Sequence, residues 1–196
     1  MSTIVLASHN AHKLEELRRI LAPLVPGIEL LGYDGPEPVE SEVSFEANAL
    51  LKARAAAAHT GLPAIADDSG IAVDVLGGCP GIFSARWGGP ARSDSANVEL
   101  LLWQLSDLPD AHRAASFVCA AALALPDGDE IALRAEWPGT VLRAPAGEGG
   151  FGYDPIFQPE GETRSAAQLS PAEKDAISHR RRAFTALAGE LNRRLA

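Results

Sequence analysis

The stretch Asp67-Asp68-Ser69-Gly70 places two carboxylates at the end of an apolar run, Ala64–Ala66, that reads as buried strand. Two ionised carboxylates repel each other and are costly to bury unpaired. In an extended chain neighbouring side chains point to opposite faces, so the two need not share a site. One can brace the backbone while the other meets a ligand, as a magnesium ligand or as the base for a water molecule. The same four residues also suit a plain turn, with Asp first and Gly closing it. The pair alone does not decide between these readings.

Three further clusters could carry chemistry. Ser8-His9-Asn10-Ala11-His12-Lys13 stands at a strand-to-helix junction. Free N–H groups at a helix start bind phosphate, and Lys13 adds a full positive charge. Taken alone, the segment reads equally as a helix cap beside a solvated lysine. It is no Walker A loop, since the glycines and the Gly-Lys-Ser/Thr ending are missing. In Gly149-Gly150-Phe151-Gly152-Tyr153-Asp154 the glycines allow close backbone approach and the aromatics offer a stacking face. A tight turn with core aromatics is the alternative. Lys174, His179 and Arg180 would suit an anionic or carbonyl-bearing ligand, unless they belong to a solvated basic surface continued by Arg181 and Arg182. Together, a phosphate cradle, a metal carboxylate, a stacking loop and a basic pair describe a nucleoside triphosphate site.

These residues need positioning elements. Thr3–Ala7 is expected as a first strand and Ala11–Leu21 as a helix, with Leu14, Leu17, Ile20 and Leu21 on one face. Glu29–Leu31 is a short strand, and Gly35–Glu42 a Pro-rich acidic loop. Ser44 can cap a helix over Phe45–His59. Pro63–Asp67 and Ile71–Leu76 read as two strands around the carboxylates, followed by a Gly/Pro-rich loop over Gly77–Pro90. Asn97–Leu105 is helical, Ala115–Leu125 a long apolar strand, and Glu130–Trp137 its return after a turn at Pro126–Asp129. Ser170-Pro171-Ala172-Glu173 is a capping box opening one helix that runs to the C-terminus. Early alternation of strands and helices, with a later hairpin, predicts an α/β fold. Its mixed twisted sheet is flanked by helices, in a single domain (1–196) of two lobes with a groove between them.

Composition narrows the function. The net charge of −9 argues against broad binding to nucleic acid or an anionic membrane, and suggests that a polyanion would arrive with a divalent cation. No apolar run is long enough to span a bilayer, and the opening MSTIVLASHN lacks the basic and apolar regions of an export signal. Two cysteines are too few for a disulfide framework or zinc cluster, so a reducing, cytoplasmic setting is expected.

The chain resembles the Ham1-type inosine triphosphate pyrophosphatases, which act on dITP, XTP and other non-canonical purine nucleotides. The matching pieces are Ser8–Lys13, Ser44–Ala53, Ala64–Gly78, Pro80–Trp87, Pro145–Phe157 and Leu169–Arg180, in family order and spacing. It departs at Glu42, where the family has Gly, and at Ala47, where it has Glu. His9 stands where small residues are common. The resemblance implies hydrolysis of ITP, dITP and XTP to monophosphate and pyrophosphate, with magnesium, by a homodimer. It implies Asp68 as general base and metal ligand, with Glu40 as second metal ligand. Ser8–Lys13 and Ser69 would hold the substrate, with Asn10 and Lys13 at the triphosphate and Lys52 adding to that field. Phe151 would stack on the purine beside Gly152 and Tyr153. Asp154 would accept its N1–H, and Lys174, His179 and Arg180 would meet its 6-oxo group or a nearby phosphate. Alternatives are a Maf-type nucleotide pyrophosphatase of other specificity and a non-catalytic nucleotide sensor. A haloacid-dehalogenase-type phosphatase would need Asp-x-Asp after the first strand, where Ser8-His9-Asn10 stands.

Overall fold

The structure is a computed structural model that describes residues 2–195. In chain order its elements are β1 (Ser2–Leu6), α1 (Ala11–Leu21), β2 (Ile28–Gly32), α2 (Phe45–Thr60), β3 (Ala64–Val73) and α3 (Asp94–Gln104). There follow β4 (Ala114–Ala124), β5 (Glu130–Val141), β6 (Phe157–Pro159), α4 (Pro171–Ile177) and α5 (His179–Arg194). The six strands form one sheet in the order β2-β1-β3-β4-β5-β6. β1 pairs in parallel with β2 and with β3, while β5 and β6 are antiparallel, so the sheet is mixed as the sequence predicts. Among the described residues no helix is long and apolar enough to cross a membrane.

Local chemistry sets the helix starts. Asn10 Oδ1 accepts the Lys13 N–H at 3.2 Å, taking one of the orphan donors at the start of α1. Ser44 does the same for Ala47 at the start of α2, and α2 ends on Gly61 in the left-handed conformation. The Ser170–Glu173 capping box is present with Pro171 at the first helical position.

Three expectations are corrected. The two strands expected around the carboxylates are one continuous strand, β3, running through Asp67-Asp68-Ser69-Gly70 without a turn. Gly70 permits this: a side-chain carbon there would collide with the Gly81 carbonyl and the Ser84 hydroxyl, which press against the strand. The Gly77–Pro90 stretch is not all loop, since Gly81–Arg86 forms 3-10 turns held by the Ser84 hydroxyl. The C-terminal helix is broken at Ser178, which is extended and fully buried, so α4 ends before α5 begins. Smaller shifts move the start of α3 to Asp94, capped by Ser93, and extend β5 past Pro138 to Val141.

The chain divides into two compact units. The first comprises Met1–Asp68, Cys119–Ala135 and Arg180–Ala196. Its core gathers Ile4 and Leu6, Leu17 and Ile20, Ile65, Cys119 and Leu123, and Phe184, Leu187 and Leu191 of α5. The second comprises Ser69–Val118 and Glu136–His179. Its core holds Ile71, Val73, Leu101, Phe117, Trp137, Tyr153, Ile156 and Phe157. The aromatic rings of Phe117, Trp137 and Phe157 pack edge-to-face and stacked with centroids 4.5–6.4 Å apart.

Candidate active site

In the first unit β3 presents its two carboxylates to separate sets of cations. Asp67 is 3% exposed and Asp68 8%. Asp67 Oδ1 accepts from Lys13 Nζ at 2.9 Å, and Asp67 Oδ2 from Arg180 Nε and Nη2 at 3.3 and 3.2 Å. Asp68 Oδ1 accepts from Lys52 Nζ at 3.0 Å and Asp68 Oδ2 from the Asn48 amide at 3.4 Å. Adjacent acids on a buried strand are therefore tolerated because alternation sends each to its own partners.

The Arg180 guanidinium is 1% exposed, and its remaining nitrogen, Nη1, donates to Glu16 Oε2 at 2.8 Å. Glu16 Oε1 is buried with no hydrogen-bond partner among the described residues. The order Lys13–Asp67–Arg180–Glu16 is thus a row of alternating charge, buried except at the partly exposed Lys13. Burial by itself would push the Asp67 carboxyl up; Lys13, Arg180 and Lys52 outweigh it and hold it far below the usual carboxylate range. Burial opposes the charge on Arg180, but Asp67 and Glu16 raise its proton affinity.

Lys52, on α2, bridges two acids: its ammonium lies 2.8 Å from Glu40 Oε1 and 3.0 Å from Asp68 Oδ1. Burial works against its charge, and Asp68, Asp67 and Glu40 overcome that and raise its proton affinity. Asp68 differs from its neighbour. Burial raises its proton affinity, Lys52 opposes this, and the charges of Glu40 and Asp67 add to the rise. Asn48 and Lys52 are four residues apart on α2 and so share a face. Asn48 also accepts the Glu42 N–H at 3.1 Å, which fixes the end of the acidic loop.

The loop before α1 uses its own side chains locally. Ser8 Oγ accepts the Asn10 N–H at 3.2 Å. His9 Nε2 lies 3.0 Å from the Gly35 carbonyl oxygen, and Ala11 opens α1. His12 lies in α1, but its side chain falls outside the described residues.

In the second unit a separate group forms around Phe151, which is 43% exposed. Lys174 Nζ lies 5.0 Å from the Phe151 ring centroid and donates to Asp154 Oδ2 at 2.5 Å. The same Asp154 oxygen accepts the Phe151 N–H at 2.8 Å. Asp94, at the start of α3, accepts the Gly152 N–H at 2.9 Å. Tyr153 donates its hydroxyl to the Ser84 carbonyl at 2.8 Å, and burial together with Asp94 keeps that phenol from ionising. His179 is buried, with its ring stacked on Phe117 (4.8 Å) and Trp137 (6.2 Å). Ser69 follows Asp68 on β3 and is half-buried.

Lys174, His179 and Arg180 are thus no solvated surface, although Arg182 beyond them is exposed. Lys174 is buried against Asp154, His179 against aromatics, and Arg180 against Asp67 and Glu16. The expectation for Arg180 put it at a purine or phosphate; the structure puts all three of its nitrogens on carboxylates. Glu16, Asn48 and Asp94 were not expected at these clusters. The spacing of Glu16 three residues after Lys13, and of Asn48 four before Lys52, places each pair on one helix face and was the available signal. Asp94 carries no such signal.

Glu40 and Asp68 are the residues that could hold a divalent cation. Glu40 and Asp68 give two carboxylates about one ammonium, and magnesium is commonly held by one or two carboxylates with water and substrate phosphate completing its shell. Among the described residues no group of three or more His, Cys, Asp or Glu stands ready as an all-protein cage.

The Ham1 family pattern matches residues 4–190 of this chain. The chain is similar to a dITP/XTP pyrophosphatase of Streptomyces coelicolor, 57% identical over 191 residues that cover 95% of this chain and 96% of that one. A second relative of the same description, from Leifsonia xyli, is 54% identical over 187 residues, 95% and 94% of the two chains. Among solved structures, the nucleoside-triphosphatase / dITP/XTP pyrophosphatase of Mycobacterium abscessus superposes with a TM-score of 0.77 at 52% identity, covering 94% of this chain and 98% of that one. A Ham1 protein from Coxiella burnetii reaches 0.89 at 39% identity, covering 98% and 100%. With the pattern spanning nearly its whole length and relatives more than half identical to it, this chain belongs to the Ham1 family.

Proposed function

We propose that the protein hydrolyses non-canonical purine nucleoside triphosphates (ITP, dITP and XTP) to the monophosphate and pyrophosphate, with magnesium, and so clears them from the nucleotide pool. The observation that carries this reading is the buried Asp68, braced by Lys52 and Asn48 and raised in proton affinity, in a chain of this family.

Asp68 is the base that takes a proton from the attacking water; a carboxylate with raised proton affinity is better suited to this than one pinned low like Asp67. Glu40 and Asp68 would hold the magnesium, which when bound lowers the pKa of water and offsets phosphate charge. Lys13 and the N–H groups at the start of α1 receive the triphosphate and offset charge on the leaving pyrophosphate. Asp67 and Arg180 act through Lys13, fixing where its ammonium points. Lys52 keeps Glu40 and Asp68 together despite their repulsion.

Phe151 receives the face of the purine, and Lys174, steadied by Asp154, offers N–H donors toward a 6-oxo group. Adenine carries a 6-amino donor instead. A buried donor facing a donor is left unpaired, at a cost of about 1–3 kcal/mol, and such polar mismatch discriminates well. The family resemblance also supports a homodimer, which light scattering on the purified chain would read as the mass of two chains rather than one.

The test is incubation with ITP, XTP and ATP plus magnesium, with the phosphorus products identified. Monophosphate and pyrophosphate from ITP and XTP, with ATP much slower, is expected. Orthophosphate as the product, or nucleotide binding with no product, overturns the reading.

A further inference from the structure

We propose that His9 is a positioning residue that fastens the segment carrying Glu40, rather than a ligand of the phosphates. This rests on the reading of Glu40 and Asp68 given above and deepens it. The His9 ring stacks on Tyr33, with centroids 5.8 Å apart and planes 10° from parallel. Its Nε2 lies 3.0 Å from the Gly35 carbonyl. A carbonyl oxygen only accepts, so Nε2 carries the hydrogen and donates it.

Tyr33 is itself fixed. It is buried, its hydroxyl donates to the Pro36 carbonyl at 3.1 Å, and it meets His59 of α2 edge-on. The chain folds back over the Tyr33 ring so closely that a side-chain carbon at Gly35 would run into it. Residues 33–36 are therefore a compact knot, and His9 closes it onto the loop before α1. The far end of the segment is fastened by Glu40 to Lys52 and by the Glu42 N–H to Asn48. Glu37 Oε2 also comes within 3.9 Å of His9 Nδ1, and between the two fastenings Pro36 and Val39 are exposed, with Val39 at 84%.

Ser8 and Asn10, on either side of His9, spend side-chain oxygens on nearby N–H groups, those of Asn10 and of Lys13 at the start of α1. His9 reaches across to another segment, to Tyr33 and Gly35. Its side chain ties the loop proposed to bind phosphate to the segment proposed to supply a metal carboxylate. Loss of His9 removes this tie between the two segments and loosens the near end of the one that carries Glu40.

The experiment compares the full chain with His9→Ala, His9→Gln, which keeps a donor, and His9→Phe, which keeps a stacking ring. Hydrogen exchange is measured on residues 34–42 in metal-free protein. One hydrogen bond and one ring contact each account for a few-fold effect, so exchange in His9→Ala is expected to rise about 10-fold, with the other two variants in between. With ITP, the magnesium concentration for half-maximal activity is expected to rise about 3–10-fold in His9→Ala, while KM for ITP at saturating magnesium moves less than about twofold. Unchanged exchange, or faster exchange with an unchanged magnesium requirement, overturns the proposal. So does a large rise in KM at saturating magnesium with unchanged exchange, which would make His9 a phosphate ligand. If the unmodified protein releases no pyrophosphate from ITP, the functional reading fails, and the exchange data still decide the tether.

Discussion

Arg180 places two of its nitrogens, at 3.3 and 3.2 Å, on a single oxygen of Asp67, while the other oxygen of that carboxylate holds Lys13. The positive end of a buried pair thereby steers a second cation. Removing one partner of such a pair leaves an uncompensated buried charge, at about 3–5 kcal/mol. Arg180→Ala is expected to lose about that much in a denaturant melt and to lower kcat/KM for ITP and ATP in similar proportion. A changed ITP-to-ATP ratio in folded Arg180→Ala would instead place the guanidinium at the base.

Asp68→Asn keeps the size of the side chain and one acceptor for Lys52, whose ammonium retains Glu40. The fold is expected to persist, with a melting temperature close to that of the unmodified protein. Pyrophosphate release from ITP should fall by about 10²–10⁴-fold, the range for loss of a positioned base. Turnover like that of the unmodified protein would remove Asp68 from the chemistry.

Asp94 holds the Gly152 N–H next to Phe151. Asp94→Ala frees that turn, and loss of one hydrogen bond predicts a rise in KM for ITP of about 2–10-fold with kcat nearly unchanged. Asp94→Asn, which retains an acceptor, should restore most of the affinity. Steady-state kinetics on the two variants check this.

Arg113 is 2% exposed and donates to three carbonyls, those of Leu105, Val141 and Leu142, at 2.6–2.8 Å. Arg113→Ala removes three hydrogen bonds to buried carbonyls, although Leu105 keeps one from the Leu108 N–H, and is expected to cost about 3–5 kcal/mol of stability, among the larger single-residue effects. Denaturant unfolding reads the loss, and activity per folded molecule should be preserved.

The Glu173 carboxyl is held down from 4.5 to about 2, first by its hydrogen bonds with Ser170 and then by Arg164. A carboxyl more acidic in the folded chain stabilises the fold above 4.5, and that contribution fades as the pH falls toward 2. Glu173→Gln should therefore melt slightly below the unmodified protein at neutral pH, with the gap closing as the pH drops through that window. The gap is small because the group is exposed and screened. Thermal melts from pH 7 to pH 2 measure it.

The sequence by itself determined what is local. Asn10, Ser44 and Ser170 mark helix starts because a cap needs only a side-chain oxygen within three residues of an orphan N–H. The apolar periodicity of Ala11–Leu21 gave α1 with the bounds the structure has. Alternation along a strand already implied that Asp67 and Asp68 part company. Tertiary structure decided which charges they meet: Lys13 lies 54 residues from Asp67 and Arg180 lies 113 from it. It also decided that β3 continues through Gly70, because the missing side chain admits Ser84, and that α4 and α5 separate at a buried Ser178. Burial turned Lys174 and Arg180, read from the sequence as surface cations, into pairs with Asp154, Asp67 and Glu16, since a charge removed from water must find its opposite wherever the fold brings one.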